Sequence, residues 1–204
     1  MTITKIEELS FDDVYFSKPI KGNGYYYMTL AQNKENPESI YMQTPKIVLS
    51  SNLDKSNFVN VQMTNQEYKN NIQQIDDTLL NMLKENKDTW FSGKGLTTEF
   101  IDTGYLPSLK RNNDWRMNVS IDNLTIYDDN KNSVDISDLN IGDSIRCIVQ
   151  LSGLWFTNTR WGVSWKLIQI KKYFKKNMKN DYMFPDDVDY DTADLIEPPP
   201  GLDE

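Results

Sequence analysis

The sequence contains no histidine and only one cysteine, Cys147. Without histidine, the chain cannot form a Ser-His-Asp or Cys-His nucleophilic site, a histidine-ligated metal site or an imidazole pH switch. One cysteine allows neither an internal disulfide nor a cysteine-based zinc site. Any catalysis would therefore have to use carboxylates, Lys, Tyr, Ser or Thr side chains, or a carboxylate-bound Mg²⁺.

Long apolar runs are also absent. No stretch reaches the roughly 18 consecutive apolar residues that a membrane span needs. The start of the chain also lacks the basic and then apolar pattern of a secretory signal. With the lack of disulfides, these absences predict a soluble protein of a reducing intracellular compartment that has no membrane partner.

The net charge of −8 hides three blocks of different sign. Residues 1–143 carry a net charge of −7, residues 144–180 carry +8 without a single carboxylate, and residues 181–204 carry −9 without a single cation. An acidic average therefore does not exclude a nucleic-acid partner for the basic block. The break near Asn180 predicts a folded domain over 1–180 and a disordered acidic tail over 181–204, which contains Pro198-Pro199-Pro200.

Most of the domain has the pattern of short strands. Runs rich in aromatic and β-branched residues, bounded by Gly, Asn or Pro, predict strands at residues 24–30, 39–42, 46–49, 58–63, 115–121, 124–127, 134–136, 144–155 and 161–170. Apolar residues spaced by three and four predict one amphipathic helix over about 65–86, with Thr64 and Glu67 as a capping box. Strands, one helix and a terminal hairpin of two long strands predict a mainly β fold, an OB-fold-like Greek-key barrel with the helix between its third and fourth strands.

The basic block is the strongest functional feature, because its cations alternate with aromatic rings. Cations that follow a phosphate backbone and rings that stack on bases are what single-strand binding requires. The candidates in this block are Arg146, Trp155, Phe156, Arg160, Trp161, Lys166, Lys171 and Lys172. Core packing is the alternative for each aromatic side chain.

A second patch again combines rings with cations, in segments with the pattern of loops or a strand start. Its candidates are Trp90, Lys94, Lys110, Arg111, Trp115 and Arg116. The run Tyr25-Tyr26-Tyr27 must direct rings to both faces of its strand, so at least one should be exposed. Such a ring either binds a base or has no role.

The one pattern with a nuclease-like spacing is Asp76-Asp77 followed by Glu85-Asn86-Lys87. It lies on the predicted helix, where acids and lysines normally form the solvated face. We therefore expect no enzymatic activity, no metal and no cofactor.

The acidic tail has two functional interpretations. Its carboxylates, which include Asp186, Asp187, Asp189, Asp191 and Asp194, would either compete for the basic groove or dock a basic partner protein. A solubilising tail without a specific role is the alternative.

Two segments, together with the barrel and the acidic tail, carry a resemblance to a known type of protein: Gly142–Trp155 and Trp161–Trp165. In these features the chain resembles the replicative single-stranded DNA-binding proteins of phage and of large DNA viruses. This resemblance implies coating of single strands in DNA replication, recombination and repair, in host cytoplasm or at viral replication sites. It also implies a tail that docks replication proteins. Many such tails end in an aromatic residue, whereas this chain ends Leu202-Asp203-Glu204.

The sequence thus predicts a sequence-tolerant binder of single-stranded DNA. A protein-interaction or virion structural component and an RNA-binding protein are the alternatives, and homo-oligomer formation stays open.

Overall fold

The computed structural model describes residues 2–53, 57–92 and 95–174. The predictions for Lys94 and for the tail residues Asp186, Asp187, Asp189, Asp191 and Asp194 lie outside these described residues.

The first half of the chain contributes short strands, of which the last four alternate buried and more exposed side chains. In chain order they are β1 (Ile3–Thr4), β2 (Val14–Phe16), β3 (Ile20–Lys21), β4 (Tyr26–Gln32), β5 (Ile40–Gln43), β6 (Ile47–Leu49) and β7 (Phe58–Gln62). The sequence predicted the last four of these. The first three have only two or three residues, which is too short for a period-two pattern to be recognised.

Two α-helices follow, α1 (Gln66–Trp90) and α2 (Thr98–Gly104). The predicted apolar stripe of α1 is buried, and the helix continues four residues beyond the predicted Asn86. The sequence did not predict α2, because seven residues form less than two full turns of apolar period. Among the described residues, no helix is both long enough and apolar enough to cross a membrane.

The second half of the chain contributes strands that are two to thirteen residues long. They are β8 (Tyr105–Leu106), β9 (Asp114–Val119), β10 (Thr125–Tyr127), β11 (Ser144–Phe156) and β12 (Trp161–Tyr173). The predicted strand at 134–136 is wrong. A 3₁₀ helix begins there at Ile136, because the Asp135 side chain accepts a hydrogen bond from the Ser137 amide and caps that turn.

Five strands close into a barrel. β6 pairs with β7, β7 with β9, β9 with β12, β12 with β11, and β11 returns to β6. Only the β9–β12 contact among these is parallel. In barrel order this is 1-2-3-5-4, so the predicted mainly β, OB-like Greek-key barrel is confirmed. In this barrel α1 connects the second and third strands, one connection earlier than predicted.

The core fills the barrel and the space between the barrel and α1. Trp115 and Trp165 are fully buried and meet edge to face, with ring centroids 4.9 Å apart. Trp165 Nε1 donates to Ser108 Oγ (2.7 Å), and Ser108 in turn donates from its amide and hydroxyl to the Asp76 carboxylate (2.8 and 2.6 Å). This network connects α1 to the barrel, and within it the buried Asp76 carboxylate accepts hydrogen bonds, as buried polar groups normally do.

The hairpin β11–β12 extends beyond the barrel. Its distal half begins at Gly153, where the pairing register shifts, and is flanked by β4 on one side and β8 on the other. β3 pairs with the outer edge of β4. A small sheet of five strands therefore surrounds the hairpin tip.

Candidate nucleic-acid interface

The second and third barrel strands direct aromatic and polar side chains outward. In β7, Phe58 and Asn60 alternate with the fully buried Val59 and Val61. In β9, Arg116 is exposed between two buried residues and lies in register with Asn60. This wall is the surface on which OB folds bind oligonucleotides and oligosaccharides.

A cleft of about 540 Å³ opens on this wall, which we call the β7–β9 cleft. It is lined by Ser50, Ser51, Asn52, Phe58, Asn60, Lys110, Arg116 and Ile141. The guanidinium of Arg116 lies 3.8 Å from the centroid of the Phe58 ring, a cation–π contact. None of these described lining residues carries a carboxylate, although the lining residue Ser50 donates to the Asp114 carboxylate beside the cleft (3.3 Å). Lys110 and Arg116 are thus the two charged groups of the lining itself.

Two features of the cleft suit a polar, planar ligand. Phe58 and Ile141, which both line the cleft, remain 39% and 58% exposed and offer it apolar surface. At the wall, the buried side-chain oxygen of Asn60 has no hydrogen-bond partner among the described residues. A buried acceptor without a donor costs free energy that a ligand N–H would recover.

Lys166 extends the positive wall onto β12. It lies in register with Asn118, which is in turn in register with Phe58. Asn118 Nδ2 donates to Ser164 Oγ (3.2 Å) and to the Trp165 carbonyl (3.1 Å), and so fixes β9 against β12. Lys166 itself is half-buried and forms no ion pair with any described residue.

A second aromatic surface lies on the outer face of the distal hairpin. Its members are in register across five strands, and we call this set the hairpin row: Ile20, Tyr27, Trp155, Gly162 and Leu106. The Trp155 ring covers Gly162, where an added Cβ would lie 3.0 Å from the ring. Ile20 and Leu106 at the two ends are 41% and 42% exposed.

Three of the predicted stacking residues are corrected to core residues. Trp161 and Trp115 are fully buried, and Phe156 is 4% exposed. Trp161 Nε1 donates to the Ile101 carbonyl (2.8 Å), and its ring stacks on Phe156 at a centroid distance of 5.9 Å. A ring enclosed in this way has no face for a base, because strand alternation directs it inward.

Two of the predicted phosphate ligands lie beside carboxylates of the chain. Lys172 is 6% exposed, with its Nζ 2.8 Å from the Asp143 carboxylate, so its assignment to phosphate binding is wrong. The Nζ of Lys171 lies 3.4 Å from the Asp129 carboxylate. The basic block has no acids of its own, but acids from preceding segments reach it through the fold.

The remaining candidates are dispersed over the surface. Trp90 is half-buried against Phe16, with centroids 4.7 Å apart. Arg160, at the hairpin tip, donates from a guanidinium nitrogen to the Thr103 carbonyl (3.3 Å). Arg111 is exposed in the turn that follows Lys110, and Arg146 is half-buried in a different cavity. The structure therefore brings together Lys110 and Arg116 with Arg111 beside them, and leaves most of the hairpin cations elsewhere.

Sequence reasoning missed Phe58, Asn60 and Ile141. The signal for Phe58 was present, because Phe58-Val59-Asn60-Val61-Gln62 alternates cleanly and Phe58 shares its face with two amides. A large apolar residue on the polar face of a strand is a candidate contact residue. Ile141 had no such signal, since it lies in a turn.

The two carboxylates of the nuclease-like pattern have different environments. Asp76 is buried and accepts two hydrogen bonds from Ser108, whereas Asp77 is exposed and accepts one from Gln73 (3.0 Å). Burial raises the pKa of Asp76, and the hydrogen bonds from Ser108 offset part of this rise. In the part of the chain that the structure describes, no three acidic or cysteine side chains are grouped to hold one metal ion.

A family of unknown function (DUF5871) matches residues 46–190. The chain belongs to this family. The matched region contains all five barrel strands and every residue that lines the β7–β9 cleft, whereas β1 to β5 precede it. No curated protein matches the chain.

Proposed function

We propose that this protein is a non-enzymatic, sequence-tolerant single-stranded DNA-binding protein whose β7–β9 cleft receives the strand. The observation that carries the proposal is the stacked pair of Phe58 and Arg116, 3.8 Å apart and next to Lys110, on the outer wall of an OB-like barrel.

The chemistry of the cleft supports a nucleic acid more than a protein ligand. A phosphate backbone requires cations without competing carboxylates, and the cleft lining has two cations and no acid. Bases require an exposed ring or guanidinium plane, which Phe58 and Arg116 supply together. This mode of binding does not need a helix that enters a DNA groove, because the bases of a single strand are unpaired and directly accessible.

Beyond the cleft, Lys166 and the hairpin row offer further contacts to a bound DNA strand. Lys166 and Gly162 are four residues apart on β12, which corresponds to about 13 Å of extended strand. A strand that leaves the cleft along β12 would pass Lys166 and reach Trp155 and Tyr27. RNA is a second ligand for the same chemistry, because such surfaces contact rings and backbone more than the sugar.

A role in replication, with the acidic tail as a competitor for the cleft or a dock for replication proteins, belongs to the same proposal. It is supported by the opposite charges of the tail and the cleft and by the resemblance described above.

The proposal is tested by measuring the affinity of three variants for fluorescein-labelled dT20. Phe58→Ala removes a stacking ring, and we expect it to cost about 1–3 kcal/mol of binding free energy. Arg116→Gln should weaken binding several-fold. It should also reduce the slope of log K against log salt concentration by about 0.7, because the variant releases one counterion fewer when it binds DNA. Lys34→Gln removes one charge from an exposed loop and serves as the matched control.

Two results would contradict the assignment of the cleft. Equal losses in Arg116→Gln and Lys34→Gln would mean that only net charge matters. Unchanged affinity in Phe58→Ala would mean that the strand binds at another surface. Circular dichroism spectra of the variants establish that the barrel is intact.

A second candidate function, a protein-interaction or virion component, is favoured by the hairpin row. Its five members carry no charge, and an uncharged apolar row between edge strands is typical of a protein contact. This alternative predicts no affinity for oligonucleotides and partners that survive nuclease treatment. It also predicts that a Tyr27→Ser, Leu106→Ser double variant loses those partners.

A further inference from the structure

A second cavity lies at the opposite side of the barrel from the hairpin tip, and we call it the Arg146 cavity. Its volume is about 460 Å³, within the range of small-molecule sites. Four segments enclose it: residues 3–7, the turn 43–45, the first turns of α1, and Arg146 of β11. It shares no lining residue with the β7–β9 cleft.

Arg146 is the unusual residue of this cavity. The residue is half-buried, and its Nε is enclosed and has no hydrogen-bond acceptor among the described residues. It forms no ion pair with any described residue, although the other enclosed cation of the basic block, Lys172, has Asp143 as its partner. An enclosed N–H group without an acceptor is unfavourable, and a bound anion that pairs with this side chain would offset part of the cost.

Tyr68 is a second lining residue of the cavity that carries a donor without a partner. It is 7% exposed, and its hydroxyl has no partner among the described residues. A tyrosine hydroxyl carries its proton at neutral pH and can donate, and burial raises the pKa of Tyr68 further. Tyr68 also lies in the first turn of α1, where the helix dipole favours an anion.

Carboxylates at the same cavity limit what the rest of a ligand can be. Glu7 and Glu67 line it, and Lys5 is already paired with Glu8 at 2.8 Å. A ligand with negative charge along its whole length would be repelled by these two carboxylates. A ligand with one oxyanion and separate N–H donors would satisfy both the unpaired cation and the acids.

We propose that the Arg146 cavity is a binding site for a nucleoside monophosphate. Arg146 and Tyr68 would hold the phosphate group, and Glu7 and Glu67 would accept hydrogen bonds from the amino group of the base. Free inorganic phosphate shares the first half of this chemistry and lacks the second.

Isothermal titration calorimetry at constant ionic strength, with AMP, adenosine and inorganic phosphate as probes, tests the site. We expect AMP to bind with a Kd below about 1 mM and more tightly than either fragment. Arg146→Gln should weaken AMP binding at least tenfold. Tyr68→Phe should weaken it about three-fold or more, and Lys34→Gln should have no effect.

Stability measurements show whether a loss of binding reflects unfolding. Because Arg146 is unpaired without ligand, the unfolding midpoint of Arg146→Gln should equal or exceed that of the native protein, while AMP should raise the midpoint of the native protein only. A strongly lowered midpoint in Arg146→Gln without ligand would overturn the proposal, since it would make Arg146 structural.

Three binding results would also overturn the proposal. They are no AMP binding at millimolar concentration, equal affinity for inorganic phosphate, and equal affinity in Arg146→Gln and Lys34→Gln. Arg116→Gln separates this site from the proposed function, because it should weaken dT20 binding and leave AMP binding unchanged. AMP binding that falls in Arg116→Gln would assign the nucleotide to the β7–β9 cleft instead.

Discussion

Gly153 is the residue at which the pairing register of the terminal hairpin shifts and β4 joins β11. Its φ is +142°, and a Cβ at this position would lie 1.8 Å from the carbonyl oxygen of Met28. The residue therefore combines a backbone conformation that side chains rarely adopt with a close approach of β4. Any other residue here would separate β11 from β4.

Gly153→Ala should destabilise the protein by at least about 3 kcal/mol or prevent folding, because the clash is with backbone and cannot relax through a rotamer. Gly142→Ala is the control. Its φ is +92°, but nothing lies within 4 Å of the added Cβ, so it should cost only about 1 kcal/mol. Urea denaturation measures both, and similar losses in the two variants would contradict the role of Gly153.

Asp76 makes a pH-dependent contribution to stability. Because burial raises its pKa above the unfolded value of about 3.9, the folded state binds the proton on Asp76 more tightly than the unfolded chain does. The stabilising contribution is fully present below the unfolded pKa and is lost as the pH rises through the folded pKa. The free energy of unfolding of the native protein, relative to Asp76→Asn, should therefore be larger at pH 4.5 than at pH 7.5. A relative stability that increases with pH would contradict this assignment.

At the scale of elements, α1 begins one residue later than its sequence signal suggested. The predicted capping box used Thr64, but Asn65 is the N-cap, and its side-chain oxygen accepts the hydrogen bond of the Tyr68 amide at 2.7 Å. Both residue types are good caps, so the sequence alone could not choose between them.

Asn65→Ala should lower the free energy of unfolding by about 1 kcal/mol, since one amide of the first turn loses its acceptor. Thr64→Ala should change it by less than about 0.5 kcal/mol, because Thr64 is exposed outside the helix. Thermal or urea unfolding compares the two, and the reverse order of effects would assign the cap to Thr64.

Long elements were predictable and short ones were not. Clean alternation predicted β9, β11 and β12, and a three-to-four spacing predicted α1. β3 and β8 contain two residues each and exist only because β4 and β12 offer them a free edge. Their formation depends on tertiary pairing, which leaves no periodic signal in a single sequence.

The candidate site was predictable only in part, for a similar reason. Composition identified the cations Lys110, Arg111 and Arg116, but not which aromatic ring would accompany them. Trp115 precedes Arg116 in the chain and therefore points to the opposite face, into the core. Phe58 comes from the neighbouring strand, 58 positions apart from Arg116 in the sequence. Contacts between distant segments, such as Lys172 with Asp143, likewise cannot be read from local charge.

In the whole molecule, the distribution of charge over the surface differs from the three charge blocks of the sequence. Acids of the first block pair with Lys171 and Lys172, which reduces the positive charge at the exit of β12. Cations of that same acidic block, Lys110 and Arg116, line the β7–β9 cleft. Neither the average charge of −8 nor the basic block by itself locates the surface proposed for the ligand.

Binding of single-stranded DNA through cations and exposed rings of the barrel is measured by fluorescence anisotropy of labelled dT20, titrated with the native protein at 50 mM and 200 mM NaCl. We expect saturable binding with a Kd of about 1 μM or tighter at the lower salt concentration. At the higher concentration binding should be at least tenfold weaker, because counterion release becomes less favourable. Absence of binding at 50 mM NaCl with about 10 μM protein, or an affinity that salt does not change, would contradict the proposed function.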